Sequence, residues 1–190
     1  MRWMSLAVAM LVSLPASQAT KVTDIDGTEH LIPDSLGSKL AIVFFVTTDC
    51  PISNRYMPEI ERICNDYSPD GARCLMAYVD PTLSVGQIRE HRTAFGITPP
   101  AVLDGRHELV SLTGATVTPE VAVLDPAGQV VYRGRIDNLY AALGTPRRRP
   151  TVRDLRDALD QTLAGDAVAQ PRTQAVGCFI PTLTPETGEC

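Results

Sequence analysis

Leu40-Ala41-Ile42-Val43-Phe44-Phe45-Val46-Thr47-Thr48-Asp49-Cys50-Pro51-Ile52-Ser53 is the stretch on which the fold of this chain turns. Its first seven residues form a near-continuous apolar run, the pattern of a strand covered on both faces. A short polar turn follows, and Pro51 stands where a helix tolerates proline, at its first position. Apolar residues return at Ile52, Tyr56, Ile60 and Ile63, a spacing that predicts a helix from Pro51 to about Tyr67. Cys50 therefore lies at a helix N-terminus, where unpaired backbone N–H groups and the helix dipole favour the thiolate. The thiolate is the nucleophilic form of cysteine, so position 50 is a candidate for redox or covalent chemistry. The plainer alternative is a structural cysteine capping the helix.

Outward from this segment the pattern alternates. Thr23 to Ile32 reads as a small hairpin around Asp26-Gly27, a strong turn signal. Cys74 to Val79 is a second buried strand, ending at Asp80-Pro81. Ser84 to Phe95 is a helix with Ser84 as its N-cap and Gly96 as its stop. Pro100 to Leu103 suggests a short strand and His107 to Leu112 a short helix. Glu120 to Leu124 and Gln129 to Arg133 are strands joined by the turn Asp125-Pro126-Ala127-Gly128. Thr151 to Leu163 is a closing helix, capped by Thr151 and ended at Gly165. The order is β-α-β-α, then a hairpin and a helix, an α/β pattern with no internal repeat. Arg133 to Tyr140 and the Arg147-Arg148-Arg149 cluster read as solvated loops. The tail from Asp166 to Cys190 is rich in Pro and Thr, with Val176-Gly177-Cys178-Phe179-Ile180 as its one apolar island. Most of it is expected to be extended or partly mobile.

The N-terminus carries Arg2, an apolar stretch from Trp3 to Leu14, and small residues in Pro15-Ala16-Ser17-Gln18-Ala19. This is the form of a signal peptide, residues 1–19, cleaved after Ala19. An uncleaved membrane anchor is the alternative. The mature chain is then periplasmic or secreted, and no other apolar run is long enough to span a membrane. Residues 20–165 suit one domain and 166–190 form the tail. A net charge of −5 gives no electrostatic reason to propose nucleic acid as a partner. All five cysteines lie beyond the signal segment, and an odd count leaves at least one thiol free, intermolecular or otherwise bound. Cys64, near the end of the first helix, and Cys74, at the start of the next strand, are expected to close a structural disulfide across the chain reversal. Two buried thiols are the alternative. Cys190, at the very end, is expected to be exposed, where it either cross-links dimers or does nothing.

The strand-ending Cys50, the Val117-Thr118-Pro119-Glu120 segment before the late hairpin, and the hairpin Val123 to Tyr132 resemble the thioredoxin fold. More narrowly, the chain resembles the redoxin branch, the alkyl hydroperoxide reductase/thiol-specific antioxidant and peroxiredoxin-like proteins, over roughly Lys21 to Ala164. The resemblance implies a central mixed sheet flanked by helices, with the N-terminal β-hairpin and extended C-terminal tail added. It implies Cys50 as nucleophile and a cis Pro119 packed beside it, with the backbone at Thr118 free to pair with an extended substrate. Thr47 would hold a peroxide against the thiolate, though a β-branched residue ending a strand is also ordinary. The substrate would be a peroxide or a protein or small-molecule disulfide, the electron source an external thiol reductant, and no organic cofactor is needed.

Three departures limit that carry-over. The dithiol turn is here Cys50-Pro51-Ile52-Ser53, so the nearby resolving thiol is missing. Val43 stands where peroxiredoxins place a proline, and Thr118-Pro119-Glu120 where they place an arginine. Arg55 is a candidate substitute for binding substrate, a solvated helix arginine being the alternative. Cys178, in its apolar island, is the candidate resolving thiol for Cys50, or else packs as a small apolar residue. No metal site is assigned, since His30, His91 and His107 show no close ligand spacing. The runner-up function is a copper carrier using Cys50 and Cys178, with or without His91, although Asn54 breaks the usual C-x-x-x-C pair. A partner-binding domain with an incidental thiol is a third reading.

Overall fold

Residues 19–33 and 38–183 are described by the computed structural model of the chain. Nearly all of the expected signal segment, and Cys190, lie outside them. Strands β1 (Thr20–Thr23) and β2 (Glu29–Ile32) form the expected antiparallel hairpin. The Asp24 carboxylate closes its turn by accepting from the N–H groups of Asp26 and Thr28 and by bonding His30.

The decisive apolar run is β3 (Leu40–Val46), buried at every position. It leads into helix α1 (Pro51–Tyr67), and the chain reverses through a short 3₁₀ turn into β4 (Ala72–Tyr78). Helix α2 (Val85–Phe95) starts with a full capping box, Ser84 and Gln87 each satisfying the other's backbone, and stops at Gly96 in the left-handed region. Then come β5 (Ala101–Leu103), helix α3 (Glu108–Thr113), the two-residue strand β6 (Val117–Thr118), β7 (Glu120–Leu124) and β8 (Val130–Gly134). A small hairpin of β9 (Tyr140–Ala142) and β10 (Thr145–Pro146), helix α4 (Asp154–Ala164) and β11 (Cys178–Phe179) complete the described chain.

Five strands form the central sheet in the order β5-β4-β3-β7-β8. β3, β4 and β5 run parallel, and β7 and β8 join antiparallel, so the sheet is mixed. This is the thioredoxin-like architecture implied by the resemblance. Alternation along β3 divides the core in two. Ile42, Phe44 and Val46 pack with Met57 and Ile60 of α1 and Leu155 and Leu159 of α4, while Ala41, Val43 and Phe45 pack with Val102 and Leu109 on the other face. The central position of β3 explains why its sequence is apolar throughout, and its end delivers Cys50 to the edge of the sheet.

Four local expectations change. The short helix starts one residue late, because His107 takes a left-handed conformation (φ 55°) that places it before the first turn. Thr151 does not cap α4. Asn138 claims it instead, accepting from the Thr151 N–H and donating to its hydroxyl, and α4 begins at Asp154. The loop read as solvated buries Ile136, Asp137 and Asn138. It is drawn in by the hydrogen bond from Tyr56 to Asp137 and by the two-pronged Arg135–Asp154 pair. The tail, where it is described, is extended as expected but docked, with Thr173 bonded to the Arg133 backbone and β11 paired to β6.

Cys64 and Cys74 are disulfide-bonded, joining the last turns of α1 to the start of β4, with Cα atoms 5.8 Å apart. Closing so short a loop removes about 2–3 kcal/mol of unfolded-chain entropy. Replacing both by serine is therefore expected to lower stability to denaturant by about that amount. Chemical denaturation of the two chains, with Cys50 thiol reactivity followed in parallel, checks this and should leave that reactivity unchanged.

Candidate functional site

The site is built where β3 ends. Cys50 takes an extended conformation (φ −80°, ψ 111°) as the N-cap of α1, with Pro51 directly after it. Its carbonyl accepts the first helical hydrogen bond, from the Asn54 N–H. The side chain is only 1% exposed. As a thiol it donates to the Thr118 carbonyl at 3.2 Å. The Cys178 thiol donates to it in turn, sulfur to sulfur, at 2.7 Å.

Cys178 arrives from far along the chain, on β11, which pairs antiparallel with β6 so that Cys178 faces Thr118 and Phe179 faces Val117. The Thr118–Pro119 peptide is cis. Below it, the buried Glu120 carboxylate accepts from the Thr116 and Val117 N–H groups and the Thr116 hydroxyl. Arg133 pairs with Glu120 at 3.5 Å and also donates to the carbonyls of Thr113 and Gly114. One buried carboxylate thus fixes the segment that receives the tail.

The two thiols are electrostatically unlike. Burial pushes Cys50 up, but the Cys178 thiol, the backbone N–H and hydroxyl of Ser53, and the Cys178 backbone together outweigh that and leave it below an ordinary thiol. The Ser53 hydroxyl is fully buried and meets no hydrogen-bond geometry among the described residues, so it acts on Cys50 through proximity. Cys178 is pushed up to about 12, first by burial, then by its hydrogen bond to Cys50, the Cys50 charge and Asp49. Of the two, Cys50 gives up its proton first, and the Cys178 thiol is then placed to solvate the thiolate.

The remaining expected residues are placed less evenly. Thr118 is at the centre, with its carbonyl on Cys50 and its hydroxyl reaching the Cys178 carbonyl at 3.5 Å. Pro119 lines a small cavity with Tyr56, Arg135, Asp137, Tyr140 and Val176. The Thr47 hydroxyl donates to Asp49 at 3.0 Å. Arg55 lies exposed on α1, with no hydrogen bond or ion pair among the described residues. His91 is buried, with Tyr78 on one ring nitrogen at 2.9 Å and Asn54 on the other at 2.8 Å, so neither nitrogen is open to a metal. Among the described residues, no three His, Cys, Asp or Glu side chains gather to hold a metal ion.

Ser53, Glu120, Tyr56 and Asp137 join the site without having been candidates from the sequence. Glu120 carried a signal, a charge at the head of an apolar strand. Asp137 carried none. Its carboxyl is buried beside the Pro119 cavity, accepts from the Tyr56 hydroxyl at 2.6 Å, and is raised above the usual carboxylate range chiefly by burial.

Among known proteins, the profile of the AhpC/TSA family matches residues 14–133. The thiol-disulfide oxidoreductase ResA of Geobacillus thermodenitrificans is 28% identical over 110 residues, covering 57% of this chain and 61% of that protein. The chain thus spans about three fifths of the length of the curated relative it matches. An uncharacterized conserved protein from Geobacillus kaustophilus superposes with a TM-score of 0.75 at 24% identity, over 90% of this chain and 92% of that one. A putative thioredoxin from Neisseria meningitidis gives 0.54 at 19% identity, over 62% and 77%. At these identities the structural likenesses establish the fold. The family match ends before the tail, so Cys178 lies outside it.

The asymmetry of the thiols has a direct readout. Because Cys50 is lowered, its thiolate persists to lower pH than a free cysteine's, whereas Cys178 stays protonated through neutrality. Alkylation by iodoacetamide, followed residue by residue by mass spectrometry between pH 5 and 10, should label Cys50 with a midpoint below that of free cysteine. Cys178 should remain unlabelled until well above it.

Proposed function

The chain belongs to the AhpC/TSA family, and on that premise we propose that it is an exported thiol-disulfide oxidoreductase working through Cys50, with Cys178 as its resolving thiol. The observation that carries this reading is the 2.7 Å approach of the two sulfurs, made by residues 128 positions apart. Two thiols at that distance are one oxidation away from a covalent bond. The naming of ResA as a thiol-disulfide oxidoreductase supports the same chemistry. Export is supported by the signal-like N-terminus and by the Cys64–Cys74 disulfide.

The steps follow from the electrostatics. The Cys50 thiolate attacks one sulfur of a substrate disulfide, that bond breaks, and the departing thiolate takes a proton from solvent. Cys50 is then half of a mixed disulfide and carries no charge. Two of the causes that hold Cys178 protonated, its hydrogen bond to Cys50 and the Cys50 charge, disappear with it. Cys178 deprotonates more readily at that moment and attacks the Cys50 sulfur, expelling the second substrate thiol. The substrate gains two electrons and two protons, and the chain is left with a Cys50–Cys178 disulfide, returned to dithiol by an external thiol reductant. Thr118 positions both sulfurs through its carbonyl and strand pairing, and Pro119 bounds the site. Cys64 and Cys74 act structurally, apart from this cycle.

Reduction of a peroxide would use the same Cys50 thiolate, with Thr47 and Arg55 shaping the pocket and Cys178 resolving a sulfenic acid. The engagement of Thr47 with Asp49 and the outward position of Arg55 favour the disulfide as substrate.

Oxidised glutathione is a suitable probe. Cys50→Ser is expected to lose thiol-disulfide exchange down to the uncatalysed rate. Cys178→Ser should keep the first attack but accumulate a Cys50–glutathione adduct visible in the intact mass. A Cys50→Ser chain of full activity would contradict the assignment.

A further inference from the structure

The docked tail is held at three places. First, the Arg133 N–H donates to the Pro171 carbonyl, the Thr173 N–H donates to the Arg133 carbonyl, and the Thr173 and Tyr132 hydroxyls share a hydrogen bond of 2.7 Å. Thr173 fits there because residue 134 is glycine, at φ +154°, and a Cβ on it would collide with the Thr173 hydroxyl and lie 2.9 Å from its carbonyl carbon. Second, Gly177 is pressed against the Thr118–Pro119 peptide. A Cβ at 177 would collide with the Thr118 carbonyl oxygen and lie 2.6 Å from its carbon. Third, β11 pairs with β6, and just beyond it the Ile180 N–H donates to the Thr116 carbonyl.

The second and third contacts define a recognition rule. The edge at Thr118 accepts an extended segment in antiparallel register and delivers the side chain opposite Thr118 to Cys50. The grip is through backbone hydrogen bonds, which any extended polypeptide can supply. The one demand on side chains is that the residue before the delivered cysteine has none. Nothing in this geometry requires the segment to belong to the same chain.

We propose that residues 176–180 of the tail are an internal competitor for the strand edge at Thr118, where the resemblance places extended substrates, and that the close contact at Gly177 makes this edge prefer a Gly-Cys step, so that tail and polypeptide substrate exclude one another. This rests on the Cys50–Cys178 cycle proposed above. It adds a sequence preference to it and gives strand exchange a role. An incoming segment lifts β11 while the clamp at Thr173 keeps the tail tethered. Cys50 attacks the segment's cysteine, held in a disulfide, and that cysteine's former partner leaves as a thiol. The return of β11 to β6 then brings Cys178 to the Cys50 sulfur and removes the backbone partner of the bound segment. One movement forms the Cys50–Cys178 bond and releases the second thiol. The arrangement suits reversible lifting, since β11 is two residues long, pairs with β6 alone, and leaves Phe179 84% exposed.

The test uses a synthetic hexapeptide, Ala-Val-Gly-Cys-Phe-Ile, with its cysteine in a mixed disulfide with thionitrobenzoate, and a second peptide with Ala in place of Gly. Release of the coloured thiolate reports the first attack alone, and mass spectrometry locates the peptide on Cys50. The full-length chain is expected to react about tenfold faster with the Gly peptide than with the Ala peptide, as an overpacked Cβ demands. Gly177→Ala, whose tail no longer seats, should accelerate the Gly-peptide reaction by about tenfold over the unaltered chain. Ile180→Asp, which loosens the tail at its far end, should accelerate it in the same direction. Equal rates for the two peptides, or no acceleration in either variant, would overturn the proposal while leaving the exchange chemistry standing. The symmetric thionitrobenzoate disulfide serves as the small substrate. If it too fails to label Cys50, the function itself falls.

Discussion

Cys178 reaches Cys50 because its backbone is paired with Thr118, and Thr118 is held in place from below by the buried Glu120 carboxylate and its Arg133 partner. Without that pairing, Cys50 would be a lone thiol at a helix N-terminus, its dithiol partner replaced by Ser53. With it, a cysteine 128 residues away is set at 2.7 Å. A strand thus sets a second thiol beside Cys50 where the turn itself has Ser53, and the strand's seating depends on two glycines, Gly134 and Gly177, at which a side chain would collide with the chain it packs on. Backbone geometry accounts for the approach of the two sulfurs.

The charge arrangement follows from the same contact. A buried thiolate is costly unless hydrogen bonds solvate it. Here the side-chain donor is the Cys178 thiol, and Ser53, at the usual second-cysteine position, adds a smaller stabilisation from close by. In the proposed exchange, the proton that stabilises Cys50 is the one Cys178 loses before it attacks. Reactivity of the second thiol is therefore coupled to the state of the first, which orders the two steps of the proposed exchange.

The fold was legible in the sequence because its main signals are strong and local. The apolar run of β3, the proline opening α1, the Ser84 cap of α2 and the hairpin turns each admit one reading. The site was legible to the extent that it is carried by cysteines. Cys50, Cys178, Thr118 and Pro119 come together, while Arg55 does not join them and the Thr47 hydroxyl is turned to Asp49. What could not be read was long-range. Asn138 takes Thr151 away from capping α4, and Asp137 is buried because Tyr56, on a helix far earlier in the chain, donates to it. The tail looked mobile because its composition is polar and Pro-rich, and its docking shows only once Gly177 is seen against Thr118.

Everything proposed for the site depends on Cys50 and Cys178 forming one redox pair. The most direct measurement is disulfide mapping of the full chain by mass spectrometry, before and after one equivalent of a low-molecular-weight disulfide, with free thiols blocked in acid. A new Cys50–Cys178 link is expected, with Cys64–Cys74 unchanged. A Cys50 that stays a free thiol, or that stops at a lasting mixed disulfide while Cys178 remains free, would contradict it.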